Sequence, residues 1–460
     1  MTETKLQENR MGFAPILPLL LKISLPMVLS MLVQALYNVV DSLFVAQLND
    51  EAALTAISMA FPIQNLMIAI AVGTGVGISA LLSRRLGEKR FDDVTATASN
   101  GIILAAFSYL LFLIFGLLGT ELFFNLQTDS QAIRSYGYDY LSVVTIFSFG
   151  LFGQVCFERL LQATGKTLFV MISHGIGAIL NIIFDPLFIF GIGPFPKWGV
   201  MGAAVATVLG QIIGWIFAMV VNRLYNHELR LRFRKIRLNW ATIIEIYKVG
   251  LPSIIMQSIA SIMTMGMNSL LLAFNTAEKA IGDTAVATFG IYFKLQSFVF
   301  MPVFGFNNGL VPIVAYNFGA KKKARLTSAI RWAILFDCGY MLLGTITMLA
   351  MPSVLLGWFN ASEIMLDIGI PALRIIGAGY VVAAFCIVCT TVFQALGNGV
   401  PSMIVSITRQ LGVLLPLAYI FAQTGNLTLV WLAFPIAEIA SLLVTLYYAK
   451  KIYQKKIKDL

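Results

Sequence analysis

Long apolar runs, near residues 16–46, 53–82, 98–120, 136–163, 168–191, 199–221, 248–274, 285–315, 327–352, 371–396, 401–423 and 428–449, occupy most of this 460-residue chain. Each is long enough to cross a bilayer as a helix, which takes about 20 apolar residues. Inside hydrocarbon every backbone N–H and C=O must be satisfied within the segment itself, so such runs fold as helices and not as open sheet. The expected fold class is therefore an all-α membrane protein with twelve transmembrane helices. Composition agrees, since only 12% of residues are charged against roughly 25% in an ordinary soluble domain.

The net charge of +10 is distributed as a topology signal and not as a nucleic-acid footprint. Of the Lys and Arg residues, only Arg134, Lys197, Lys279 and Arg374 fall at odd-numbered loops, and only Lys294 and Arg409 lie well inside runs. The rest cluster at the even loops and the termini, as in RRLGEKR at 84–90, the stretch from Arg223 to Lys248, and KKKAR at 321–325. The positive-inside rule then places both termini in the cytoplasm. MTETKLQENR at the N-terminus has no short apolar core with a small-residue cleavage site, so the first helix is expected to remain. Cys156, Cys338, Cys386 and Cys389 all lie in apolar segments. No disulfide framework or transition-metal site is expected, the CIVC run at 386–389 reading as small packing residues. His174 stands alone on a helix and reads as a satisfied buried histidine.

The chain repeats itself. KISLP at 22–26 answers KVGLP at 248–252, GISALLSRRLGEKR at 77–90 answers GLVPIVAYNFGAKK at 309–322, and QATGK at 162–166 answers QALGN at 394–398. Six helices separate equivalent positions, so the halves share one orientation and an axis along the membrane normal relates them. This predicts two pseudo-symmetric six-helix bundles: an N-lobe over 1–221, a basic cytoplasmic linker over 222–247 and a C-lobe over 248–460. Bundles facing one another across a cavity suit alternating access, whereas a channel would show pore loops or selectivity filters.

Ionisable groups inside spans are costly, about 2.5–3.5 kcal/mol for an Asp at the helix centre, and mark functional sites. Asp41, Glu158, Asp185, Asp337 and Glu438 are such groups. Asp185 aligns with Leu417 and Glu158 with Thr390, so the N-lobe acids have no C-lobe copies, which favours a specialised site in one half. Asn181 and Asp185 stand four apart on one helix face. With Asp41 and the hydroxyl of Thr207 they form a candidate oxygen-lined site for a proton or a sodium ion, because two carboxyls in one low-dielectric pocket do not readily ionise together. Glu158, followed by Arg159, fits either a local ion pair or a substrate contact. Asp337 and Glu438 are expected to pair with Lys294 or Arg409. Pro26 and Pro186 favour kinks. QATGKT at 162–167 lacks the leading glycine of a phosphate loop, where Leu160 stands, so no ATP site is visible and no nucleophile–base or metal set marks an enzyme.

The segments YNVVDSLFVAQL at 37–48, GTGVGISALLSRRLGEK at 73–89, FERLLQATGK at 157–166, LNIIFDPLFIFG at 180–191 and GLVPIVAYNFGAKK at 309–322 resemble the multidrug and toxic compound extrusion (MATE) family, in its DinF-like and MepA-like bacterial branch. The resemblance covers essentially the whole chain. It implies a twelve-helix exporter of the bacterial inner membrane, driven by inward proton or sodium flow, with amphipathic organic cations as usual substrates and no other cofactor. It also implies that Asp41, Asn181, Asp185 and Thr207 are the cation-coupling site and that Asp41, Glu158 and Asp185 contact substrate. Gln257 stands where the NorM-like branch shows an acid. One chain carries both lobes, so a monomer is expected. The alternative within the same superfamily is a lipid-linked oligosaccharide flippase, for which the internal acids are less suited than for a cation.

Overall fold

The computed structural model describes residues 8–48, 50–229, 238–275, 281–359 and 361–460, without the side chains of residues 38, 39, 41, 42 and 46. Among the described residues the chain is helical, with no strand. Helices α1 (Ile16–Ala46), α2 (Glu51–Gly87), α3 (Phe91–Leu118), α4 (Thr120–Gln127), α5 (Gln131–Ile146), α6 (Phe149–Ala163), α7 (Thr167–Phe190) and α8 (Val200–Tyr225) make the first half. The second half comprises α9 (Trp240–Leu272), α10 (Ile281–Gly319), α11 (Lys323–Ala350), α12 (Pro352–Gly357), α13 (Glu363–Gly377), α14 (Tyr380–Ala395), α15 (Gly399–Ile407), α16 (Leu415–Ala422) and α17 (Leu427–Ile452).

Ten of these segments are long and apolar enough to cross a membrane as single spans, α15 and α16 counting as one span joined by a π-helical stretch at Thr408–Leu414. Two bent pairs supply the others: α5 with α6, bent by 40°, and α13 with α14, bent by 47°. Counting each pair as one span gives the expected twelve. Short polar side chains start several helices by accepting orphan N–H groups of the first turn. Asp50 does so for α2, Asn239 for α9, Ser362 for α13 and Asn426 for α17.

The internal repeat reaches the backbone. Lys89 and Lys321, 232 positions apart, both adopt left-handed φ values of 60° and 55°, and so do Gly165 and Gly397 at 81° and 77°. A lysine pays a conformational cost there, so its recurrence marks one turn built twice. The predicted linker at 222–247 is shorter in the structure, because α8 runs on to Tyr225 and α9 begins at Trp240; its central residues 230–237 lie outside the described residues.

Three apolar cores show how the halves meet. One, from Val45 to Ala204, belongs to the first half alone, and another, from Met263 to Ala437, to the second half alone. The third joins both halves at the end that carries the basic loops, mixing Leu20, Leu82 and Leu160 with Leu310, Ile313 and Leu396. The most buried spans are α2 and α10, 72% buried in their apolar windows against 28–39% for the others. At the shared end, glycines let backbones approach. A Cβ on Gly305 of α10 would sit 2.6 Å from Val28 Cα of α1, and one on Gly73 of α2 would sit 2.7 Å from the Ile254 backbone N of α9. Polar clasps accompany them: Ser24 Oγ donates to Phe306 O at 3.0 Å, Arg159 Nη1 to Asn308 Oδ1 at 3.3 Å and Arg85 Nη2 to Glu245 Oε2 at 2.9 Å, while more than halfway along α2 and α9 from that end Asn65 Nδ2 donates to Ser261 Oγ at 2.8 Å. The two halves are sealed together at the basic end and keep separate cores at the other.

Pro26 and Pro186 both lie inside continuous helices. The sharp breaks fall instead at Phe147–Ser148 and Ala378–Gly379, where no proline stands.

Candidate functional site

Helix α7 carries Asn181 and Asp185 one turn apart, 2% and 0% exposed. Thr207 comes from α8, which packs along α7 because Gly177 and Gly210 let the backbones touch: a Cβ on Gly210 would lie 2.7 Å from the Gly177 carbonyl oxygen. The amide orientation that satisfies every neighbour has Asn181 donating to Asp185 Oδ2 at 3.0 Å while its carbonyl oxygen accepts from the Thr207 backbone N–H and hydroxyl, each at 3.2 Å. The structure thus brings three of the four expected residues into one buried chain of carboxylate, amide and hydroxyl. The side chain of the fourth, Asp41, lies outside the described residues. The Asp185 carboxylate is an acceptor whose oxygens fit a proton or a hard cation with oxygen preference.

Glu158 is not part of that cluster. It sits on α6 facing the basic-end half of α7, where Ser173 Oγ donates to its Oε1 at 2.7 Å and Gln154 Nε2 donates to the same oxygen at 3.0 Å. His174 Nδ1 lies 3.1 Å from Glu158 Oε2. Ser173 and Asp185 are twelve residues apart, about 18 Å along the helix, so the lobe holds two polar clusters at different depths. Arg159 turns away to Gln162, at 2.8 Å, and across the seam to Asn308. The local Glu158–Arg159 ion pair considered from sequence does not form, and the histidine read as solitary has a carboxylate partner. His174 gave no sequence signal because Glu158 lies on another helix. Ser173 was missed for the same reason, whereas Gln154 stands four residues before Glu158 on α6, a same-face spacing that the sequence does display.

In the second half, Arg409 Nη1 contacts Glu438 Oε1 at 3.4 Å, one of the alternative acid–base pairings expected for Asp337 and Glu438 with Lys294 or Arg409. Asp337 faces no cation among the described residues; Asn307 Nδ2 donates to its Oδ2 at 2.5 Å. Lys294 lies over the Phe359 ring, 5.9 Å from its centroid. All four cysteines are free, and no group of three or more metal-ligating side chains occurs among the described residues.

A bundle of paired six-span repeats, sealed at one end and holding buried polar clusters within its spans, is the architecture of a multi-pass membrane transporter. The MatE family model matches this sequence once in each half, over residues 26–187 and 252–420. The chain belongs to the MatE family, whose members are transporters and not enzymes. It is 25% identical over 442 residues to the FAD transporter of Shewanella oneidensis, covering 95% of each chain. It is 25% identical over 450 residues to the multidrug export protein MepA of Staphylococcus aureus, covering 94% of each. In fold it is similar to an outward-facing multidrug resistance MATE family transporter of the MOP superfamily, with a TM-score of 0.90 over 99% of both chains at 24% identity.

Proposed function

We propose that this chain exports amphipathic organic cations across the bacterial inner membrane, in exchange for inward-moving protons or sodium ions, by rocking its two lobes about the seam. The observation that carries the reading is the buried Asn181–Asp185–Thr207 chain. A carboxylate held in low dielectric binds either a small cation or a cationic drug far more readily than both. Such exclusive occupancy is the physical requirement of antiport.

Helix register supports Asp41 as the fourth member. Thr167 Oγ1 of α7 donates to Ile23 O of α1 at 2.7 Å. Positions 41 and 185 each lie eighteen residues further along their helices, five full turns at about 3.6 residues each, so on parallel helices they return to the same level and the facing sides. The basic-loop clusters support cytoplasmic termini, which makes the sealed end the inner one and the conformation outward-open. In that state a proton or sodium ion reaching Asp185 releases the drug outward. The lobes then reclose and carry the ion in. Each unit charge crossing the full field contributes about 2.3 kcal/mol per 100 mV.

Proteoliposomes of the full chain test this, with rhodamine 6G as cargo and imposed pH or sodium gradients. Gradient-driven transport in wild type with its loss in Asp185→Asn, at equal protein incorporation, is the expected result. Equal transport with and without gradients, or wild-type rates in the variant, would overturn it. A second reading, export of a dinucleotide, is favoured by the equal similarity to the Shewanella oneidensis FAD transporter; gradient-driven FAD transport in the same vesicles would establish it.

A further inference from the structure

The C-lobe holds a polar site that the antiport reading leaves unused. Arg409 lies about 15 Å along its span from Gly399, half the thickness of a bilayer's hydrocarbon core. It sits within the π-helical stretch Thr408–Leu414, a local winding that often accompanies functional sites. Its partner Glu438, on α17, is packed at the second break of the lobe, where a Cβ on Gly379 would lie 3.2 Å from Glu438 Cγ. Two interrupted spans therefore converge on one intramembrane ion pair, the arrangement in which transporters commonly build sites near the midplane.

The pair is poorly closed for a structural bridge. A well-closed arginine–carboxylate pair frequently forms two parallel bonds of about 2.7–2.9 Å. Here a single contact of 3.4 Å joins Nη1 to Oε1, and the Arg409 side chain keeps 27% of its surface accessible. Glu438 Oε2 is buried with no hydrogen-bond partner among the described residues. A guanidinium has five donors, and one is used within the described residues. The N-lobe break at Phe147–Ser148, which the repeat places opposite, is lined differently, with Phe149 edge-on to Trp215 at 5.8 Å and to Tyr109 at 5.7 Å. One lobe thus offers aromatic faces suited to a cationic ring system, and the other offers a guanidinium with spare donors.

We infer that Arg409 binds an oxyanion group of the cargo, a carboxylate or phosphate, and so sets the affinity for cargoes that carry such a group relative to simple organic cations. Glu438 holds Arg409 in place between cargoes and yields it when the oxyanion arrives. The inference rests on the small-molecule transport reading, and one matched pair of dyes separates the two: rhodamine 6G, an ester cation, and rhodamine 19, its free carboxylate.

Binding of each dye to the purified full-length protein is measured by fluorescence anisotropy. Wild type is expected to bind both. Arg409→Ala weakens rhodamine 19 by roughly tenfold or more, the loss of a charge-assisted hydrogen bond, while rhodamine 6G changes by less than about twofold on the same scale. Arg409→Lys restores part of the carboxylate binding. Because Arg409→Ala leaves Glu438 unpaired, the double variant Arg409→Gln/Glu438→Gln keeps two neutral partners and shows the same selective loss. Equal weakening of both dyes in the double variant, unchanged rhodamine 19 affinity, or no rhodamine 19 binding by wild type overturns the inference. Rhodamine 6G binding in wild type meanwhile reports on the transport reading independently.

Discussion

Adding one methyl group at Gly305 should open the inner seal. A Cβ there meets Val28 Cα at 2.6 Å and Val28 N at 2.8 Å, both backbone atoms that cannot rotate away. An ordinary contact is about 3.4 Å or more, so α1 and α10 must separate by roughly 0.8 Å, or strain must absorb the difference, at the ~1–3 kcal/mol typical of overpacking. That cost falls on the sealed state, where the two helices touch, and is relieved where the lobes part. A differential of this size shifts a two-state equilibrium by about 5- to 150-fold. Spin labels on the exposed Asp92 and Ala324, in the Cys338→Ser background, report inter-lobe distance at that end by double electron–electron resonance. Gly305→Ala should add or enlarge a longer-distance population. Gly339→Ala is the control, since nothing lies within 4 Å of its Cβ. Identical distance distributions in the two variants, with both folded, would refute the reasoning, because the methyl would then be tolerated equally in every state.

Three further outcomes follow from named contacts. Gly210→Val pushes α8 from the Gly177 carbonyl and should draw Thr207 away from Asn181, abolishing gradient-driven transport while the helical circular dichroism is retained. Asp337→Asn should leave the melting temperature unchanged or raise it, because a neutral amide beside Asn307 avoids burying a carboxylate that has no cation partner, and Asn307 Oδ1, buried and unpartnered among the described residues, gains a donor; a clear fall would contradict this. Asp50 accepts from Tyr136 and from the first turn of α2, and the Tyr136 hydroxyl foremost, then the Ala53 N–H, holds its carboxyl below the usual value of 3.8. Its folded-state value is depressed, so its contribution is present above that unfolded value and fades as pH falls through the lower folded one. The melting gap between wild type and Asp50→Ala should therefore narrow only in that acidic range.

Much of this molecule was legible because hydrocarbon is an unforgiving solvent. Apolar runs had to be helices, and the offset of 232 that paired QATGK with QALGN also pairs the left-handed Lys89 and Lys321. The breaks at 147–148 and 378–379 were hidden, since neither carries a proline, and the prolines that sequence did flag lie within continuous helices. The site divides in the same way. Asn181 and Asp185 could be read as one face from their spacing, whereas the approach of Thr207 depends on the Gly177–Gly210 crossing of two helices. The tie from Glu158 to His174 and Ser173 likewise depends on packing between α6 and α7, which no one-dimensional pattern displays. Glu438 with Arg409 was one of several pairings of opposite charges that the sequence left open inside one lobe. Its loose geometry and the π-helical setting required coordinates.

The most direct test of the coupling site needs no membrane gradient. Detergent-purified protein in weakly buffered solution is titrated with rhodamine 6G, and released protons are followed with a pH indicator, released sodium with a sodium electrode. Wild type should release one of the two ions as the dye binds, and Asp185→Asn should bind dye without releasing either. Undiminished ion release from Asp185→Asn would contradict the account.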